Sequence, residues 1–236
     1  MSPKTESSRV GPPALALPVL LAFTAGFVDT LGFVALFSFF TAHVTGNFVV
    51  LGAAIIQPHH GVVAKLLALP MFMAGVAATR IYERALVRNG LNVAPRLMLA
   101  EFASLAAFLA LGILATPLVD GDAPSAIAAA LAGVVAMSVQ NAASRTVFAS
   151  LSPTTVMTGN VTQLVIDAVD LAGGATVDAS AAIRARMRRF WPPVVSFAGG
   201  AVAGAVGFSE FGFGALTLPA VFVLYLAIDT RRWANP

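Results

Sequence analysis

Asp29 stands in AGFVDTLGF, near the middle of an apolar run long enough to cross a membrane. On insertion scales, keeping a carboxylate charged at such a depth costs at least about 2.5 kcal/mol. A carboxyl there either carries a proton or a cation, or it ties neighbouring helices together. His43 follows in the same region, and imidazole is the side chain suited to exchanging a proton with it near neutral pH. Two tripeptides complete the set: Thr45-Gly46-Asn47 in FTAHVTGNFVVLG and Thr158-Gly159-Asn160 in PTTVMTGNVTQLV. In each, glycine lets the backbone turn sharply and the asparagine amide is placed to cap the helix that follows. The same hydroxyls and amides suit a polar solute.

The material upstream of the tripeptides also matches. Asp29 lies 18 residues before Asn47, and Asn141 lies 19 before Asn160. The chain thus reads as two related halves, each with a polar residue in an apolar span and then a Thr-Gly-Asn break. Gln140 and Asn141 either line a site or bridge helices, as amides in membrane spans do. The candidate substrate-binding set is Asp29, Thr45, Gly46, Asn47, Gln140, Asn141, Thr158, Gly159 and Asn160. Asp29 and His43 are the candidates for proton coupling.

Other chemistry lacks its parts. There is no cysteine, so neither thiol chemistry nor Cys-ligated zinc is available. The spans hold no HExxH, no Ser-His-Asp pattern and no clustered carboxylates. His59-His60 in a turn, with no Cys or carboxylate beside them, reads as a solvated loop. No catalytic residue, metal or cofactor is expected, and the chain is not expected to be an enzyme.

Composition sets the class. Apolar residues make up 58% and charged residues 11% of the 236-residue chain, against roughly 25% charged in soluble domains. A soluble protein so composed would expose too much apolar surface, so a polytopic membrane protein is expected. The net charge of +3 is no nucleic-acid signal, because the basic residues serve topology. The expected partners are the lipid bilayer and a small polar solute. Self-association through small-residue helix faces is a further candidate, while the GxxxG of Gly200 and Gly204 reads as a structural close-packing surface.

These residues must be positioned by the following elements. Residues 1–13 form a polar tail expected to be disordered and cytoplasmic, 14–118 a first membrane repeat, 119–122 an external turn, 123–230 a second repeat, and 231–236 a cytoplasmic tail. In the first repeat, 14–38 is a span and 47–56 an apolar run about 15 Å long as a helix, half of a hydrocarbon core of about 30 Å. Residues 57–61 turn, 62–79 span, 80–96 form a basic loop or helix extension, and 97–118 span with Glu101 within reach of a partner at the inner interface. In the second repeat, 123–143 span, 160–171 form another short helix, 184–189 are basic and interfacial, and 190–208 and 211–228 span.

Charge chooses between two topologies. With eight crossings, nine Lys and Arg fall inside and five outside. If each Thr-Gly-Asn segment dips in and returns on its own side, six crossings remain. Then 13 of the 14 Lys and Arg lie inside and only Lys65 outside, as the positive-inside rule prefers. Each half then crosses three times, which inverts one half relative to the other. The expectation is an all-α integral membrane protein with six transmembrane helices and two short re-entrant half-helices in an inverted repeat. The alternative is eight spans as two parallel four-helix repeats. In the inverted arrangement the half-helix N-termini meet near the midplane, a recurrent substrate site in transporters.

GFVDTLGF, TAHVTGN and SVQNAASR…TTVMTGN resemble the YoaK-like family, small bacterial membrane proteins with a domain of unknown function. The resemblance covers nearly the whole chain from about Ala14 onward. It implies a bacterial inner membrane and a compact helical fold, and supplies neither substrate nor catalytic residues. Both termini are expected in the cytoplasm. The function expected from the site is a secondary transporter or channel for a small polar or anionic solute, bound between the two half-helices, whose N-termini favour anions. The alternative is a non-transporting membrane scaffold or an intramembrane enzyme.

Overall fold

A computed structural model describes residues 13–56 and 60–233. The expected tail 1–13 lies outside the described residues except for Pro13, which begins the first helix. Gln57, Pro58 and His59 of the expected turn, and residues 234–236, also lie outside them. The described chain is all α-helical apart from loops and one 3-10 turn. The helices are α1 (Pro13–Ala35), α2 (Gly46–Ala54), α3 (Val62–Arg88), α4 (Val93–Ala115), α5 (Pro124–Arg145), α6 (Met157–Ala172), α7 (Val177–Phe211) and α8 (Thr217–Trp233), with the 3-10 turn at Gly212–Leu216 before α8.

The largest differences from the expected boundaries fall at the two basic stretches. Of the two readings of the basic stretch 80–96, a loop or a helix extension, the structure has the extension over most of its length. Helix α3 continues through Arg88 and ends where Gly90 takes φ +62°, so that the Leu91 N–H donates to the Leu86 carbonyl at 2.9 Å. Helix α4 then begins at Val93, so the arginines decorate two helix ends. The basic stretch 184–189 is likewise an N-terminal extension of α7, which runs unbroken for 35 residues through Pro192 and Pro193. Elsewhere the punctuation is local. Pro124 occupies the first turn of α5, and α4 stops at Thr116 (ψ 134°), the extended conformation that a following proline imposes.

Burial is the reverse of a soluble protein's. Val49, Ile55, Leu114, Val202 and Val206 are exposed, whereas Thr24, Asp29, Asn47, Lys65, Glu101, Gln140, Asn160 and Asp167 are buried. Apolar outside and polar inside is what a lipid solvent selects. Five apolar stretches are long enough to cross a membrane, the last of them (Val177–Asp229) comprising α7, the 3-10 turn and α8.

Helix α1 sits at the centre. It packs on α7, α5 and α8, while α4 packs on α5 and α8, and α3 on α5. The α1 and α7 axes run parallel: Ser196 Oγ donates to the Val19 carbonyl at 2.7 Å, Gly200 abuts Phe23 and Gly204 abuts Phe27. A Cβ on Gly200 would come within 2.2 Å of the Phe23 carbonyl oxygen. The small-residue face read as a close-packing surface is therefore filled by α1 within the chain. Helix α5 runs antiparallel to α1, and α3 lies parallel to α5, with Val63 N–H on Asp122 at one end and Gly75 against Ser138 further in.

One end of the bundle gathers residues 36–45, Gly61, the linker 116–123 and the 3-10 turn. The other gathers the α3–α4 turn, residues 146–156 and the α6–α7 turn. At the first end Lys65 is almost fully buried, its Nζ donating to the carbonyls of Phe37 (2.7 Å), His60 (2.8 Å) and Gly61 (3.3 Å).

Candidate functional site

Residues 36–45 leave α1 and fold back into the bundle, so that Phe39 and Thr41 are completely buried. Irregular backbone there must find partners for its N–H groups inside the protein. Asp29 supplies them. Its Oδ1 accepts the N–H groups of Thr41 (2.8 Å), Ala42 (2.7 Å) and His43 (3.3 Å) and the Thr41 hydroxyl (3.3 Å). Its Oδ2 lies 2.6 Å from His43 Nδ1. The carboxyl thus holds the loop and an imidazole at once.

Asn47 closes the same loop from its other side. Its Nδ2 donates to the Phe40 carbonyl and its Oδ1 accepts the Phe40 N–H, both at 2.9 Å. This is not the cap expected from the sequence. Helix α2 starts at Gly46 with Thr45 at its N-cap and no side-chain cap bond. Asn47 is already in the first turn, and its amide reaches back to the chain that leads in.

The second half repeats the device with different chemistry. Asn160 Nδ2 donates to the Pro153 carbonyl at 2.8 Å and to Ser152 Oγ at 3.1 Å. Both asparagines reach seven residues back. Proline has no N–H, so the reciprocal bond seen at Phe40 has no counterpart. Here too capping fails, because α6 starts at Met157, ahead of the asparagine. In place of Asp29 stand two amides: Gln140 Nε2 donates to Thr154 Oγ1 (2.9 Å) and the Leu21 carbonyl (2.8 Å), and Asn141 Nδ2 to Thr155 Oγ1 (2.7 Å).

The two networks share no residue. One is anchored at Asp29 and the other at Leu21, eight residues lower and so about 12 Å along α1. Each asparagine amide is used within its own loop, so the hydrogen bonds of Asn47 and Asn160 brace two separate loops. Beside the first lies a cavity of about 420 Å³ lined by Asp29, Thr30, Phe40, His43, Thr45, Gly46 and Phe197. His43 is partly exposed and Thr45 exposed there. Beside the second lies a hollow of about 540 Å³ whose lining, apart from Thr158 and Thr162, is Met157, Val161, Val165 and Ile166. Gly159 is exposed on α6. The first cavity holds the titratable groups and the second holds none.

Three buried ionisable groups have surroundings that the sequence did not foretell. Lys65 is the carbonyl clamp described above. Asp167, fully buried on α6, is held by Arg186 of α7, whose Nε lies 3.1 and 2.9 Å from its two oxygens and whose Nη2 also contacts Oδ1; Gln163 donates at 2.8 Å. The Arg186 guanidinium keeps the Asp167 carboxyl below the usual carboxylate range. The Gln163–Asp167 spacing of four on one helix face was the available signal; Arg186 was hidden in a run of arginines. Glu101 departs most from expectation. Instead of pairing near the interface it is fully buried on α4, and neither oxygen has a partner.

Among the described residues no three His, Cys, Asp or Glu side chains group as metal ligands would. Over residues 17–228 the chain matches the family described as a protein of unknown function, DUF1275. Comparison with the curated proteins and with the solved structures returned no match.

Proposed function

This chain belongs to the DUF1275 family, of which the YoaK-like proteins are members, and from that premise we propose that it is a secondary transporter for a small polar or anionic solute, driven by protons. The observation that carries the reading is the Asp29–His43 pair, 2.6 Å apart on the wall of a cavity of about 420 Å³ that also exposes Thr45. The pair can pass one proton between Oδ2 and Nδ1, and His43 can present charge to the cavity while Asp29 compensates it from behind. Thr30 and Thr45 offer hydroxyls, and Phe40 and Phe197 offer apolar walls, to a solute with both kinds of surface. This assigns the solute site to the first Thr-Gly-Asn segment alone.

The proposed architecture is six crossings and two folded-back segments in an inverted repeat. Helix α2 has nine residues, about 14 Å, too short to cross a core of about 30 Å. The main helix contacts exchange in pairs when α1 is swapped with α5, α2 with α6, α3 with α7 and α4 with α8: α1–α7 becomes α5–α3, α4–α5 becomes α8–α1, and α2–α3 becomes α6–α7, while α3–α4 has no α7–α8 counterpart because the 3-10 turn intervenes there. The exchanged pair α1 and α5 are antiparallel, as inversion requires. The arginines of α3, α4, α5 and α7 lie toward one end of the bundle and Lys65 at the other, which supports cytoplasmic termini in a bacterial inner membrane.

A non-transporting scaffold is the second reading, favoured by the internal use of both asparagine amides. Purified protein in liposomes with a trapped pH dye separates the two. Solutes from a polar and anionic panel should move protons in the wild type and not in Asp29→Asn. A complete panel that moves neither solute nor protons removes the transport reading.

A further inference from the structure

Among the described residues, the buried side-chain oxygens without a hydrogen-bond partner are Thr24 Oγ1, both carboxyl oxygens of Glu101, and Gln140 Oε1. All three residues are fully buried. Helix register relates two of these residues, Glu101 and Gln140. Helices α4 and α5 form an antiparallel hairpin, and Phe108 meets Gly133 across it, a Cβ on that glycine falling 3.1 Å from the ring. Seven residues, or about two turns, toward the cytoplasmic end of α4 is Glu101; the same step on α5 is Gln140. The two therefore face each other across the helix pair. Gln140 in turn donates to the Leu21 carbonyl, which brings α1 to the same level, with Thr24 one turn outward.

Among the described side chains, none supplies Glu101 with a counter-charge. On α5 the one ionisable residue is Arg145, at the helix end beyond Gln140. On α3, Arg80 is exposed and pairs with Glu83 at 2.8 Å, Tyr82, Arg84 and Arg88 are exposed, and Lys65 is at the opposite end. On α8, Tyr225 is exposed, Asp229 is of the same sign as a carboxylate, and Arg231 and Arg232 stand at the helix's C-terminal end. The 3-10 turn carries no ionisable group. On α4 itself, Arg96 donates back to the Asn92 carbonyl.

The Glu101 oxygens and Gln140 Oε1 are acceptors without a donor, and Thr24 belongs to α1, which does not pack on α4. Gln140 Nε2 is already committed to Leu21 and Thr154. What is missing is one positive charge and one donor, and a single proton supplies both. A metal cation would need a fuller shell of oxygens than one carboxyl and one amide, since the helix carbonyls are held in their own ladders. We propose that Glu101, facing Gln140 across α4 and α5, is a buried proton-binding site separate from the Asp29–His43 pair. In the closed bundle it is a carboxylic acid, and its proton leaves when the packing around α4 opens to water.

The test is infrared spectroscopy of the full chain in lipid nanodiscs at neutral pH, in H2O and D2O. The wild type should show a carboxylic-acid C=O band that shifts down slowly in D2O. The band should vanish in Glu101→Gln, an isostere of the neutral acid that keeps the fold, and persist in Asp29→Asn. A wild type without that band, or a band that survives Glu101→Gln, overturns the proposal. A companion melting series in sodium chloride against choline chloride should show no sodium-specific rise. A sodium-specific rise that Glu101→Gln abolishes would make the site a cation site and overturn the proposal as well. Loss of proton-driven transport in Asp29→Asn with the Glu101 band intact would separate this site from the transport reading.

Discussion

Asp29 Oδ2 sits 2.6 Å from His43 Nδ1 while Oδ1 of the same carboxyl accepts the N–H groups of Thr41 and Ala42 at 2.8 and 2.7 Å. One side chain therefore does two jobs, bracing a loop and holding a titratable neighbour. The two jobs come apart under substitution.

Asp29→Asn keeps an oxygen for the Thr41 and Ala42 amides and loses the charge. It should fold with a near-wild-type melting temperature, keep solute binding and exchange, and lose pH-driven accumulation. Asp29→Ala leaves buried N–H groups unpaired, at about 1–3 kcal/mol for each group, and should melt several degrees lower. Unchanged accumulation in Asp29→Asn, at normal expression, removes Asp29 from the coupling.

The two asparagines should not be equivalent. Asn47→Ala loses a reciprocal pair of bonds to Phe40, and Asn160→Ala loses donor bonds only, to Pro153 and Ser152. The expected order of destabilisation in thermal melts is Asn47→Ala above Asn160→Ala, by about 1 kcal/mol for the additional backbone bond. Equal melting temperatures would mean that the Phe40 N–H finds another partner.

The absence of native cysteine makes topology simple to test. Asn89→Cys and Asp120→Cys both replace exposed residues at opposite ends of the bundle. A membrane-impermeant maleimide applied to intact cells should label position 120 and spare position 89. External labelling at 89 contradicts the six-crossing arrangement.

The Asp167–Arg186 pair makes an acid-side prediction. The folded carboxyl titrates below its unfolded value because Arg186 bonds its charged form. The pair's contribution is therefore present above the unfolded carboxylate range, near pH 4, and is lost as pH falls through the folded pKa. Wild type should melt above Asp167→Asn at pH 7, and the gap should close as the pH is lowered through that range. A gap independent of pH would show that the pair adds packing alone.

Much of the frame was legible from residue types and spacing. The apolar runs and the placement of arginine are one-dimensional quantities, so the membrane class and the helical elements follow from counting. The paired Thr-Gly-Asn breaks drew attention to two loops, and in each the asparagine amide reaches seven residues back. Asp29 stood out because a carboxyl in an apolar span must be accounted for. The asparagine role was misread because capping is a local rule, whereas these amides serve a loop that has to be satisfied inside the bundle.

By itself the sequence determined where the chain is apolar, which end of each helix is basic, and which few polar residues are forced into the interior. Tertiary structure alone decided whom those residues meet. Lys65 looked like a stray external charge and is a clamp on three carbonyls; Arg186 was one arginine in four and is the partner of Asp167; Glu101 looked interfacial and is fully buried with neither oxygen partnered. The reason is physical: composition determines how much polar surface must be buried, but hydrogen bonds reach only about 3 Å. Which donor lies within that reach is set by helix register and crossing, and those depend on every packed side chain at once.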